Sequence, residues 1–338
     1  MHYKAIAVVT LLLASTLSAQ TSDKVFDFTN KPGPQGLQEI ATILRTVGGL
    51  QKLSVDPAAS TVSIDGTSEE LAMAGWMIHQ ADQKKDSPGD QFLVPGKSDD
   101  VIRVFFLANS TTPQSAQELL TVLRTVADVQ KVFLYSATTA LYMRGPAAQV
   151  ALAAYLINSI DVQPDRAATS PEFQYTEPVR GTHEVVRVFH LANVKTTRGV
   201  QEILTVLRTV LDIQKVFNAT APMDLAIRGT ASDLAASEWI LKSLDIPADA
   251  QASTNAGARE FVLPVAAPGG SVIRVFYTRY LTPQGVQQTL TALRTRLQIQ
   301  KVFNYSAPAA LVVRGSADQI TKAGQLIQDS DQQAKATP

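Results

Sequence analysis

The chain contains no cysteine. That excludes a disulfide framework, a thiol nucleophile, a haem attachment site and any Cys-ligated zinc site, so stability must come from packed cores. Histidine is scarce as well, limited to His2, His79, His183 and His190. None has a second histidine or a recurring carboxylate at ligand spacing, and zinc needs three or four such groups. No metal, cofactor or small-molecule substrate is expected. For His190, the matching slots of the repeats described below hold Asp27, Phe106 and Tyr277, so an exposed strand position is expected rather than a ligand. Neither sign of charge is in excess, with 30 basic against 30 acidic residues. Nucleic acid and anionic lipid both demand a concentrated basic surface, and neither is expected as a partner. There is no Gly-x-Ser-x-Gly elbow, and Asp99-Asp100 reads as a solvated linker pair. A non-enzymatic protein is expected, with a hydrolase the least favoured alternative.

Long hydrophobic runs are missing beyond the N-terminus. There, Lys4 precedes an apolar stretch from Ala5 to Ala14, and Leu17-Ser18-Ala19 ends in small residues. The stretch is shorter than the ~20 residues that span a bilayer. It is read as a signal peptide over 1–19, which directs the chain to the periplasm, with outer-membrane association as a further expectation.

What is present is a repeat. Ile102-Arg103-Val104-Phe105 returns as Val186-Arg187-Val188-Phe189 and Ile273-Arg274-Val275-Phe276, with a weaker copy at Lys24-Val25-Phe26. Leu44-Arg45-Thr46 recurs at Leu123, Leu207 and Leu293, Gln51-Lys52 recurs at Gln130, Gln214 and Gln300, and Asp82, Asp161, Asp245 and Asp331 close the copies. A period of about 80 to 87 residues exceeds that of solenoid repeats and suits a small domain with a linker. The modules are placed at 24–82, 101–161, 185–245 and 272–331. The Pro/Gly/Ala-rich linkers are 83–100, 162–184 and 246–271.

Within a module, period-2 alternation around Phe105 predicts a half-buried strand. Thr112-Pro113 and Thr282-Pro283 start a helix, whose apolar stripe runs through Val200, Ile203, Leu204, Leu207, Val210 and Leu211. Two short strands follow, through Lys131-Val132-Phe133 and Leu141-Tyr142-Met143. A second helix opens with capping boxes at Thr67/Glu70, Thr230/Asp233 and Ser316/Gln319, with Pro146 in the remaining copy. The fold class is α+β: four tandem two-layer β-α-β-β-α sandwich modules joined by linkers. Each linker carries an apolar patch, around Phe92, Phe173 and Phe261, read as an extra edge strand or docking segment. A module of ~60 residues buries only ~60% of its unfolded surface, so contacts between modules or chains would help it.

Three cations recur: Arg124, Lys131 and Arg144, then Arg208, Lys215 and Arg228, then Arg294, Lys301 and Arg314. Solvated faces and stem packing account for them most simply. As an alternative they meet acidic residues of a neighbouring module, such as Glu118 or Glu202. These nine residues and Phe92, Phe173 and Phe261 are the interface candidates.

Val104-Phe105-Phe106-Leu107-Ala108-Asn109, a Leu-rich first helix and the ending Leu156-Ile157-Asn158-Ser159-Ile160-Asp161 together resemble the periplasmic N-domains of bacterial secretins. The resemblance covers all four modules and rests on core and turn positions. It implies ring-building, KH-like modules, and hence a scaffold that self-associates or docks on a secretin-type complex of the outer membrane. No secretin pore domain is expected after the last module, and the linkers are longer than tight ring stacking favours. KH domains bind RNA through a Gly-x-x-Gly loop. That string occurs at Gly33-Pro34-Gln35-Gly36 and in no other copy. The alternative function is a monomeric binding module for envelope peptides or glycans, using the linker strands as β-edges.

Overall fold

The structure is a computed structural model describing residues 21–83, 91–163, 170–220, 223–247, 260–264 and 270–336; the expected signal peptide lies outside them. The chain divides into two compact units, Met1–Asp82 and Gln83–Pro338.

The first unit holds β1 (Ser22–Asp27), α1 (Pro34–Ile43) running into a π-helical turn at Leu44–Gly48, β2 (Leu53–Asp56), β3 (Thr61–Gly66) and α2 (Ser68–Ala81). Its antiparallel sheet has the order β1-β3-β2. Leu37, Ile40, Leu44, Val62, Ile64, Ala74 and Met77 form the buried layer between helices and sheet.

The second unit contains three copies of a larger pattern. The first comprises β4 (Gln91–Leu93), β5 (Asp100–Phe106), α3 (Pro113–Thr125), β6 (Lys131–Tyr135), β7 (Ala140–Pro146) and α4 (Ala147–Ile160). The next comprises β8 (Phe173–Thr176), β9 (His183–His190), α5 (Thr197–Val210), β10 (Val216–Thr220), β11 (Met223–Gly229) and α6 (Ala231–Leu244). The last comprises β12 (Glu260–Val262), β13 (Val272–Tyr277), α7 (Pro283–Arg296), β14 (Val302–Ser306), β15 (Ala309–Gly315) and α8 (Ala317–Ala336). The sheets run β4-β5-β7-β6, β8-β9-β11-β10 and β12-β13-β15-β14, all antiparallel. The segments expected as linkers thus donate a fourth strand to each of these sheets.

The recurring sequence markers have local causes. Each closing aspartate reaches back about fifty residues to cap the turn after the module's main strand. Asp161 accepts from the amides of Ala108, Asn109 and Ser110, and Asp245 from those of Ala192, Asn193 and Val194. Asp82 and Asp331 do the same for Thr29 and Asn30, and for Arg279, Tyr280 and Leu281. Arg45, Arg124, Arg208 and Arg294 tie the first helix to a carbonyl of the next strand, at Leu53, Val132, Val216 and Val302. The three capping boxes form as the sequence predicts. At Pro146, which has no side chain to cap with, Asp99 accepts from the Ala147 amide instead, and Asp100 takes Arg144 at 2.9 Å. Asp99-Asp100 is therefore a structural pair as well as a solvated one: Asp99 is exposed and Asp100 half-buried, and the helix start and a buried guanidinium both find an acceptor there.

The first helix of every module ends in the same turn. A left-handed residue stands at Gly49, Asp128, Asp212 and Gln298. The amide after it bonds back six residues, as Val129 does to Leu123 and Ile213 to Leu207, one residue beyond the 6→1 bond of a Schellman motif, so the helix ends in a wider left-handed stop. Glycine is the natural occupant of that conformation.

Asp82 carries a pKa below the usual carboxylate range: burial pushes it up, but the bonds from Asn30 and Thr29 outweigh that. Its contribution to stability is full above the ordinary value of about 4 and is lost as pH falls through the lowered folded value. Asp82→Asn should therefore remove part of the acid dependence of unfolding in the first unit. Circular dichroism melts between pH 2 and 6 measure it, and an unchanged acid limb would contradict the capping role.

Candidate functional site: the module-to-module interface

The alternation along β9 and β13 shows where the second sheet face goes. Val185 and Phe189 enter their own module's core, while Val186 and Val188 join the core beneath α3 and α4 of the preceding module, together with Ala219 and Ala226. One module later, Val272 and Phe276 face inward, and Ile273, Val275, Tyr305, Ala310 and Val312 join the core of α5 and α6. These strands are buried on both faces, not half-buried as the alternation predicts. Each buried valine is worth about 1.5–3 kcal/mol, so the second face is a second core.

Charged groups frame this apolar contact, and they repeat. Glu118 of α3 takes the backbone amide of Thr220 at 2.8 Å and its hydroxyl at 2.6 Å. Glu202 of α5 takes Ser306 in the same way, at 2.8 and 2.6 Å. A carboxylate on one module's helix thus satisfies the end of the next module's edge strand. At the other end, Asp128 receives Lys215 and, at 2.9 Å, Arg228; Asp212 receives Lys301 and, at 3.7 Å, Arg314. Arg228 Nη1 also donates to the Val126 carbonyl, and Arg314 Nη1 to that of Val210, both at 3.0 Å. These are carbonyls at the C-terminus of the preceding module's first helix, where the helix dipole favours a cation.

Both arginines are buried and held from behind. Arg228 pairs with Glu184 at 2.6 Å and lies over the Tyr175 ring, 4.4 Å from its centre. Arg314 donates to the Gly270 carbonyl at 2.9 Å. Gly270 has φ +98°, and a Cβ there would come within 2.0 Å of the Gly315 backbone, so only glycine fits.

The linker aromatics complete the contact. Phe173 of β8 stacks on Tyr155 of α4 at 5.1 Å, and Phe261 of β12 tilts onto Trp239 of α6 at 5.9 Å. Tyr155 also donates to the Pro171 carbonyl and Tyr277 to that of Ser243, both at 2.7 Å. Tyr305, desolvated at the junction and close to Asp245 and Glu202, has its phenol pushed up to about 12.

The twelve residues singled out from sequence therefore separate. Lys215, Arg228, Lys301, Arg314, Phe173 and Phe261 lie in contacts between modules. Arg124, Arg208 and Arg294 serve inside their own modules, Arg144 pairs with Asp100, Lys131 is exposed at the start of β6, and Phe92 is half-buried in β4. Solvated faces do not describe Arg228 and Arg314, because the preceding module's helix end covers them. Glu118 and Glu202 do meet the neighbouring module, though through a hydroxyl and an amide instead of a cation. Sequence reasoning missed Asp128 and Asp212; their signal was an acid recurring in a helix-stop position where glycine is easier.

His190 departs from expectation. Its side chain is 14% exposed, and Nδ1 lies 2.5 Å from Asp224, itself buried. The strand is covered on that face by the preceding module, which turns a surface position into a junction one. His183 contacts Thr176 through Nδ1 at 3.0 Å. Among the described residues no three or more His, Asp or Glu side chains are grouped to hold a metal, and no helix is long and apolar enough to cross a membrane.

No protein-family profile and no curated protein matches the chain. Among solved structures, the N-terminal domain of the secretin XcpQ from Pseudomonas aeruginosa aligns with 42% of this chain and 63% of its own, at 19% identity and a TM-score of 0.19. The ETEC pilotin–secretin AspS–GspD complex aligns over 91% and 55%, at 13% identity and 0.17. An aspartate kinase from Synechocystis aligns over 94% and 55%, at 10% and 0.17. The chain spans less than two thirds of the length of each.

Two outcomes test the interface. Arg228→Met should lower stability by about 3–5 kcal/mol, because Asp128 and Glu184 lose a buried partner. Lys215→Met, at a half-exposed pair, should cost less, about 1 kcal/mol; urea midpoints compare them. Tyr305 binds its proton more tightly folded than unfolded, so its contribution persists below pH 10 and is lost between pH 10 and about 12. Burial also raises Tyr142, Tyr155 and Tyr175, so absorbance at 295 nm should show several late-titrating tyrosines, and Tyr305→Phe should remove one tyrosine's share of that late change.

Proposed function

We propose that this chain is a non-enzymatic scaffold of the bacterial envelope, exported to the periplasm, that associates with a secretin-type secretion complex. The observation that carries the reading is that sheet-on-helix docking repeats along the chain. The recurring polar residues serve packing, and a row of stacked modules results. The motif resemblance to secretin N-domains supplies the kind of partner. The peptide-binding alternative loses two of its three anchors, since Phe173 and Phe261 are occupied by Tyr155 and Trp239 of the same chain.

The test is direct. The mature chain, from Gln20, is titrated onto secretin multimers purified from the outer membrane of the source organism, with its own mass followed by light scattering. Saturable binding is expected. A chain that remains monomeric at every concentration and leaves the multimers unbound would overturn the proposal.

A further inference from the structure

The helix pair of the fourth module stands where those of the second and third modules carry a neighbour. Counted from the recurring Leu-Arg-Thr, five positions can be compared. The second module has Glu118, Val122, Val126, Asp128 and, on its second helix, Tyr155. The third has Glu202, Val206, Val210, Asp212 and Trp239. The fourth has Gln288, Ala292, Arg296, Gln298 and Gln325. All five of these side chains have changed in one direction. Both acids have become neutral amides, so neither an incoming Lys/Arg pair nor a strand-end amide and hydroxyl finds a carboxylate. The aromatic platform has become Gln325. Val122, Val126, Val206 and Val210 are fully buried, whereas Ala292 is half-buried and Arg296, Gln298, Gln288 and Gln325 are exposed.

The inward residues did not follow. Leu290, Leu293, Ile299 and Val302 remain buried in the fourth module's core, and the Gln298 turn keeps its left-handed geometry and its Ile299-to-Leu293 bond. Drift that spared the core could explain loss of charge, but it does not explain a cation at Arg296. There, an incoming sheet would bring its own lysine and arginine to the helix end.

We infer that the α7/α8 face is a terminal surface that refuses a further module of this type, so that the row beginning at β4 ends at α8. The inference goes beyond the proposed function: it removes this face from the surfaces through which copies of the chain or a secretin module could stack, and leaves sheet edges and other faces for that role. It does not depend on the identity of any partner.

The test extends the full chain with a second copy of residues 246–336 after Pro338. On the natural face the added module should tumble independently, giving a large maximum dimension in small-angle scattering and no added amide protection in its copy of Val302–Ser306. On a face carrying Gln288→Glu, Ala292→Val, Arg296→Val, Gln298→Asp and Gln325→Trp, it should dock, slowing exchange in that strand by on the order of 10-fold or more. The reverse exchange keeps the test open if the five-fold variant fails to fold. Glu202→Gln, Val206→Ala, Val210→Arg, Asp212→Gln and Trp239→Gln in the unextended chain should release the natural fourth module. Docking on the unaltered face, no docking on the altered one, or retention of the fourth module in the reverse variant would each overturn the inference.

Discussion

A guanidinium buried between two modules is the contact around which the second unit is organised. Arg228 and Arg314 each reach across a junction to the last turn of another module's helix, and neither is stable there alone. The uncompensated charge would cost several kcal/mol. The fold surrounds each one with acceptors: carboxylates of Asp128 and Glu184 for Arg228, and a helix-end carbonyl with the Gly270 carbonyl for Arg314. Such a group specifies register more than it adds stability. A sheet sliding by one residue against the helices would strand the charge and carry the apolar set out of its seats between the helices.

Register matters because each sheet in this row serves two cores. A ~60-residue sandwich that buries one sheet face is marginal. By giving Val186 and Val188, or Ile273 and Val275, to the module before, the third and fourth modules gain a second buried layer without disulfides. The fourth strand donated from the preceding segment widens that layer, and the aromatic beside it closes its rim.

The repeat, the order of elements, the capping boxes and the inward apolar faces were all legible in the sequence, because each depends on neighbours three, four or two residues away. The docking face was partly written there too. Val185-Val186-Arg187-Val188-Phe189 is apolar at both parities, the mark of a strand covered on two sides; comparing copies for a tolerant slot at His190 obscured it. Asp99 capping α4 and Asp128 receiving Arg228 were not legible. Each links residues about fifty or a hundred positions apart, and only the packed modules bring those together.

The helix-stop position joins two functions in one residue. At Gly49, Asp128, Asp212 and Gln298 the backbone needs a left-handed turn, for which glycine, aspartate and glutamine all serve in this chain. During gene duplication a lineage could therefore add or delete the acid that grips the next module without disturbing the helix or its core. The length of the stacked row can then evolve separately from the stability of the units that compose it.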